Sequence, residues 1–237
     1  MKVIVLSLSN FKESDVIYNA ISEESSLSFK AYRGQDNKSQ YLWLNNPLVI
    51  ADVEFADRRY KYPTLKEAKL IASPLKGDNQ LEYLYSIAAI TEIANNVLPE
   101  EERHKLFSHI EKAIIALQNN KDHLMVISIL LANAARLAGG ELEVDQCVFC
   151  GATSDIVAFS FADGGFVCRN CLADSMIADL SATQMKLIRY VFKAPNYDCP
   201  ESEKYKAEDK KVVLNNLVHY ISDMNGVNLK TISNLLE

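Results

Sequence analysis

The chain has 237 residues, 49% of them hydrophobic and 24% charged, with a formal net charge of -6. This is the composition of a folded globular protein, which excludes a disordered or fibrous chain, and the length predicts two domains. The longest apolar run, Leu124 to Leu131, is broken by Ser128 and is far shorter than the roughly 20 residues of a spanning helix, so no membrane segment is expected.

Charge is spread unevenly. Residues 1–76 carry eight Lys and three Arg against nine acidic residues, a net of +2, while residues 77–237 carry -8. The first residues, Met1 to Leu8, are apolar, but Ser9, Asn10, Lys12 and Glu13 follow with no small-residue cleavage site, so a strand and a cytoplasmic location are expected.

In chain order, short runs rich in β-branched and aromatic residues cover Val3 to Leu8, Leu27 to Tyr32, Tyr41 to Leu44, Leu48 to Phe55 and Thr64 to Ile71. Gly34, Asp36, Asn37, Asn45, Asn46 and Pro47 punctuate them, and the pattern predicts strands joined by tight turns. Between the first two runs, Ser14 and Asp15 can cap a short helix carrying Val16, Ile17, Ala20 and Ile21 on one face. Five strands and a helix in this length predict a small barrel of the oligonucleotide-binding type over residues 1–76, with a sandwich as the competing arrangement.

The period changes to 3.6 after Ser73-Pro74-Leu75-Lys76-Gly77-Asp78, where a domain junction is expected. Helices follow over Leu81 to Ile93, Leu106 to Leu117, Leu124 to Leu137, Ser181 to Phe192 and Lys210 to Met224, with a last short one over Thr231 to Leu236. Residues 77–237 therefore read as a helical domain, and the fold class is α+β.

Into that domain is set Cys147-x2-Cys150-x17-Cys168-x2-Cys171, a spacing of four-cysteine zinc sites. Each CxxC pair turns two thiolates toward one tetrahedral ion, and the Asp163-Gly164-Gly165 turn between apolar runs brings the pairs together as a hairpin. Four thiolates leave no open coordination position, so one structural Zn2+ is expected in the knuckle 147–171. Four ordinary buried thiols, or a redox pair, are the competing readings; two pairs and no βαβ context argue against the second. Cys199 stands outside the set.

Basic residues gather near aromatic or turn positions: Lys30, Tyr32 and Arg33 with Lys38; Arg58, Arg59, Tyr60 and Lys61; and Lys66 with Lys69. On a barrel such residues can hold phosphates while tyrosines stack bases. The candidate DNA-binding set is Lys30, Arg33, Lys38, Arg58 and Arg59.

The order of features resembles the RecO family of bacterial recombination mediators. Val5-Leu6-Ser7 with Phe11-Lys12-Glu13-Ser14-Asp15 is similar to the family's opening strand and turn, and Lys30-Ala31-Tyr32-Arg33-Gly34 with Lys38-Ser39 to its basic hairpin. Cys147-Val148-Phe149-Cys150-Gly151, Phe159-Ser160, Gly164-Gly165 and Cys168-x2-Cys171 match its knuckle in order and spacing, and Leu229-Lys230-Thr231 resembles its carboxy-terminal element. The resemblance implies binding of single- and double-stranded DNA, strand annealing, contact with the tail of single-strand binding protein, and cooperation with RecR in loading the recombinase. Gln35, Asp36 and Asn37 depart from the pattern, standing where family members carry further Lys or Arg; weaker DNA affinity or more reliance on partners would follow.

No enzyme is expected. His104, His109, His123 and His219 are scattered, with no helical metal pair, and no P-loop, GxSxG or GxGxxG occurs. The remaining alternative is a zinc-stabilised protein adaptor that does not touch nucleic acid, which the acidic carboxy-terminal region favours.

Overall fold

The computed structural model describes residues 1–11, 14–56, 62–74, 81–173 and 180–236, and the chain divides into two compact units, Met1–Gln118 and Asn119–Glu237. The junction expected near residue 76 lies outside the described residues, within the span of the first unit.

The first unit begins with strands β1 (Lys2–Phe11), β2 (Asp15–Ile21) and β3 (Ser26–Ala31), continues with β4 (Ile50–Phe55) and β5 (Leu65–Ala72), and forms one antiparallel sheet in the order β3-β2-β1-β4-β5. Alternation fixes the register: Val3 and Val5, Val16, Tyr18 and Ala20, Phe29 and Ala31, and Ala51 and Val53 all turn to one core. Tyr18 stands opposite Phe29, their rings 5.3 Å apart, and its hydroxyl donates to Asn45 Oδ1 at 2.6 Å. Burial pushes that phenol up to about 12.

Val3, Ile4, Val5 and Leu6 are all buried, so β1 is covered on both faces. The unit also holds helices α1 (Leu81–Asn96) and α2 (Phe107–Gln118); Lys2 pairs with Glu111 and lies 5.6 Å from the Phe107 ring.

Two sequence expectations fail here. Residues 15–21 are a strand, not a helix: Val16, Ile17, Ala20 and Ile21 fit a helical face, but Val16, Tyr18 and Ala20 also alternate, and hairpin pairing with β1 selects that pattern. Tyr41 to Leu44 is not a strand; Leu42–Asn45 form a 3-10 turn in which Trp43 Nε1 donates to Gln40 O at 2.9 Å.

The expected barrel is also not closed. Among the described residues, β3 and the start of β5 meet at one bridge, Lys30 with Thr64, where the Lys30 N–H donates to Pro63 O at 2.9 Å. Pro63 has no N–H, so the pairing cannot extend through that residue toward the start of β3.

The second unit is built on α3 (His123–Leu137), whose residues Met125 to Leu131 are all buried, as expected of a helix at the centre of a bundle. Asp122 caps it, accepting from the Met125 N–H at 3.0 Å, and Ser128 satisfies its hydroxyl on Leu124 O at 2.7 Å. Helix α4 (Ala182–Lys193) starts with a capping box of Ser181 and Gln184, and α5 (Ala207–Asn225) ends at Gly226 in the left-handed conformation, φ 66°. A short hairpin, β6 (Ile156–Ser160) and β7 (Gly165–Cys168), lies between α3 and α4 in sequence. The last expected helix is a 3-10 turn over Thr231–Leu235. The whole is a mixed α+β protein with an amino-terminal antiparallel sheet and a helical carboxy-terminal region; among the described residues no helix is long and apolar enough to cross a membrane.

Candidate functional site

The cysteine knuckle is assembled by backbone pairing. Glu143 N–H donates to Gly164 O at 2.8 Å and Phe166 N–H to Glu143 O at 3.0 Å, so the chain entering the first CxxC runs beside β7, which carries the second. Val148 N–H donates to Phe166 O at 2.9 Å, fixing the loop between Cys147 and Cys150 on the same strand. Gly165 must be glycine there: a Cβ would stand 2.1 Å from Glu143 O, and its φ is 151°. After the first pair Gly151 takes φ 73° and donates to Cys147 O at 2.9 Å; after the second, Leu172 N–H donates to Cys168 O at 3.1 Å. The two pairs thus fold alike.

The four sulfurs lie within 4.8 Å of one another, with Cys150 and Cys168 Sγ 3.6 Å apart. Ligands at about 2.3 Å on a tetrahedral zinc are about 3.8 Å apart, so the set is compatible with that ion. All five cysteines are free thiols. Burial opposes ionisation of Cys147, but the backbone amides of Cys168, Phe149 and Cys150 outweigh it and lower the thiol to about 6. The Cys171 thiol donates toward Cys150 and Cys168, which with burial favours its protonated form and pushes it up to about 12. Four thiols this close resist becoming four thiolates without a cation among them. Cys199 is buried, its thiol pushed up to about 12 mainly by burial, and it is not one of the four clustered cysteines.

The knuckle is anchored within its unit. Phe159 and Val167 are fully buried, Phe161 stacks 5.7 Å from Tyr220 of α5, and Asp145 accepts from Arg189 at 2.8 Å and pairs with Lys193, both on α4. Phe161, Ala162, Tyr220 and Met224, with the polar Asn216, His219 and Asp223, line an open groove of about 480 Å³ beside the hairpin turn.

Of the candidate DNA-binding residues, Arg58 and Arg59 lie outside the described residues, as do Lys12 and Glu13 of the opening turn. Lys30, Arg33 and Lys38 fall on the end of β3 and the loop after it, but not in one role. Lys30 Nζ is 3.5 Å from Asp15 Oδ2, 3.9 Å from the Tyr32 ring centroid and 5.2 Å from that of Phe11, and its side chain is 15% exposed. Arg33 and Lys38 are exposed. Arg33 has φ 51° and its N–H donates to Asp15 Oδ1 at 3.0 Å; Lys38 N–H donates to Asp36 Oδ1 at 2.9 Å. Gln35 donates to Asn10 Oδ1 and, through its N–H, to Ser14 O at 3.2 Å, which seats the loop on the β1–β2 turn. Asp15, expected as a helix cap, is the hub of this arrangement, a role that depends on strand pairing and has no local signal.

The model of the family described as Recombination protein O C terminal matches residues 78–231, a span that includes the whole knuckle. The DNA repair protein RecO of Thermoanaerobacter sp. (strain X514) is 28% identical over 237 residues, covering 97% of this chain and 94% of the relative. That of Halalkalibacterium halodurans is 23% identical over 232 residues, covering 96% and 90%. That of Bacillus pumilus (strain SAFR-032) is 23% identical over 231 residues, covering 96% and 90%. The chain belongs to the RecO family.

Proposed function

We propose that this protein is a DNA-binding recombination mediator of bacterial DNA repair, acting in the cytoplasm without breaking a bond. It would bind and anneal DNA strands and, with RecR, help load the recombinase onto single strands coated by single-strand binding protein. Membership of the RecO family carries the reading: its relatives of nearly equal length are named DNA repair proteins. The exposed cations Arg33 and Lys38 on the loop after β3 support phosphate contact by the sheet unit, with Arg58 and Arg59 as further candidates. Annealing needs neutralised phosphates, not an acid, base or nucleophile.

In the second unit Cys147, Cys150, Cys168 and Cys171 would hold one zinc ion, whose chemistry there is to tie the hairpin to the chain before it. With four thiolate ligands it has no position for water or substrate. The groove beside Phe161, Tyr220 and Met224 suits the apolar residues of a partner's tail, such as that of single-strand binding protein.

The adaptor reading draws on one observation: Lys30, the first of the candidate phosphate ligands, is enclosed by Asp15, Tyr32 and Phe11. Fluorescence anisotropy of a labelled single-stranded oligonucleotide at several salt concentrations separates the two. Binding that weakens with salt, without turnover, supports the mediator; no binding at low salt leaves the adaptor.

A further inference from the structure

We propose that Tyr32 is a stacking platform for one unpaired nucleobase, and that Lys30 holds its ring in place. This rests on the reading of the protein as one that binds DNA. Tyr32 follows β3 directly and is 62% exposed, more than Phe149 at 54% or Leu84 at 38%. A ring so placed is free to turn unless something fixes it. Here the Lys30 ammonium stands 3.9 Å from its centroid, well inside the range of a cation–π contact.

Lys30 is itself held from two further sides. Asp15 Oδ2 is 3.5 Å from Nζ, the Phe11 ring is 5.2 Å away, and only 15% of the side chain is exposed. A lysine committed in this way does not reach out to a phosphate. What it does is order an aromatic ring before any ligand arrives, so that less freedom is lost on binding. With the ammonium over the ring, 62% of the residue still faces solvent, room enough for a base to stack.

The chain beyond the ring supplies the rest of a single-strand site. Arg33 adopts a left-handed conformation, φ 51°, with its N–H tied to Asp15, so the backbone turns sharply after Tyr32 and presents the next cation from a fixed position. Arg33 and Lys38 are exposed on that loop. An aromatic face beside solvent-facing cations is the arrangement that binds a single strand, the base on the ring and the phosphates on the cations. Paired bases are already stacked on their neighbours in a duplex and cannot use the ring. Tyr32 therefore gives a preference for unpaired strands that charge alone does not.

The test is anisotropy of the full chain with three labelled probes of equal length: an oligothymidylate, the same backbone with abasic sites, and a duplex. Tyr32→Ala is expected to weaken oligothymidylate binding about tenfold, the scale of one lost base–aromatic stack, and to leave the abasic and duplex probes unchanged. Tyr32→Phe is expected to bind as the unaltered protein does, and Lys30→Met to lose part of the oligothymidylate affinity while keeping the abasic affinity. If Tyr32→Ala binds oligothymidylate as well as the unaltered protein, or loses equally on the abasic probe, the platform is wrong while the DNA-binding reading stands. If the unaltered protein binds none of the probes at low salt, both are wrong.

Discussion

Lys210 Nζ donates to Asp122 Oδ2 at 2.6 Å, joining the first turn of α5 to the residue that caps α3. The same ammonium donates to Ser202 Oγ at 2.9 Å, and Ser202 donates to Asp122 Oδ2 at 2.6 Å, so the three side chains close a ring of hydrogen bonds around a lysine that is 8% exposed. Removing one partner of such a pair strands the other. Asp122→Ala leaves the ammonium with a hydroxyl alone and takes the cap from Met125, and is expected to cost about 3–5 kcal/mol. Lys210→Met leaves the carboxylate with Ser202 and the Met125 N–H and should cost about 1–2 kcal/mol. Urea unfolding followed by far-ultraviolet circular dichroism compares them; equal losses would show that the lysine, not the cap, carries the network.

The same carboxylate sets an acid limit. Burial opposes ionisation of Asp122, but the hydrogen bonds from Lys210, Ser202 and the Met125 amide prevail and hold it below its ordinary 3.8. Because the native value is the lower one, its contribution is complete above the unfolded value and is lost as pH falls through the native one. Melting temperatures from about pH 6 to pH 3 should therefore fall more steeply for the unaltered protein than for Asp122→Asn at the acid end. Parallel curves would remove Asp122 from the account of acid stability.

Zinc loading should be stoichiometric. About one zinc per chain is expected by elemental analysis, with Cys150→Ala reducing it to background. Since Phe159 and Val167 of the hairpin are fully buried, stripping the metal should also loosen the core they enter and lower the melting temperature by at least about 5 °C. A protein that neither retains nor takes up zinc would show the cluster to be four ordinary thiols.

Two glycines should respond oppositely to alanine. At Gly165 the new methyl meets the Glu143 backbone, which cannot move without breaking the pairing that builds the knuckle, so Gly165→Ala is expected to cost about 3 kcal/mol or more and to reduce zinc retention. At Gly140 the nearest atom, 2.0 Å away, is the Met224 sulfur, the far end of a flexible side chain. Gly140→Ala should cost about 1 kcal/mol or less once Met224 swings aside.

The proposed phosphate contacts have a signature in salt. For a single-stranded probe each contact removed should flatten the logarithmic dependence of affinity on salt by about 0.7, so the double variant Arg33→Glu, Lys38→Glu should lose about 1.4 from the slope. An unchanged slope would place the phosphates elsewhere on the molecule.

The cysteine cluster was legible in the sequence because its signals are local: two CxxC turns, and an Asp163-Gly164-Gly165 turn that can only fold the chain back. The core helix α3 was legible for a similar reason, an apolar stretch between Asp122 and Gly139-Gly140. What escaped depends on partners distant in sequence. Val16, Ile17, Ala20 and Ile21 suit a helix until β1 is beside them, and Asp15 reads as a cap until strand pairing brings Lys30 and Arg33 to it. Whether the sheet closes is likewise settled by partners distant in sequence: among the described residues β3 meets the segment before β5 only at the Lys30–Thr64 bridge.

Trp43 is the chain's only tryptophan and sits in the 3-10 turn of the first unit, whereas the four clustered cysteines all lie in the second. Indole emission therefore reports from the first unit, and titration of the clustered thiols with an added chromogenic reagent reports from the second. Melting followed by indole emission and, in parallel, by thiol reactivity tells whether the two units come apart together or in sequence.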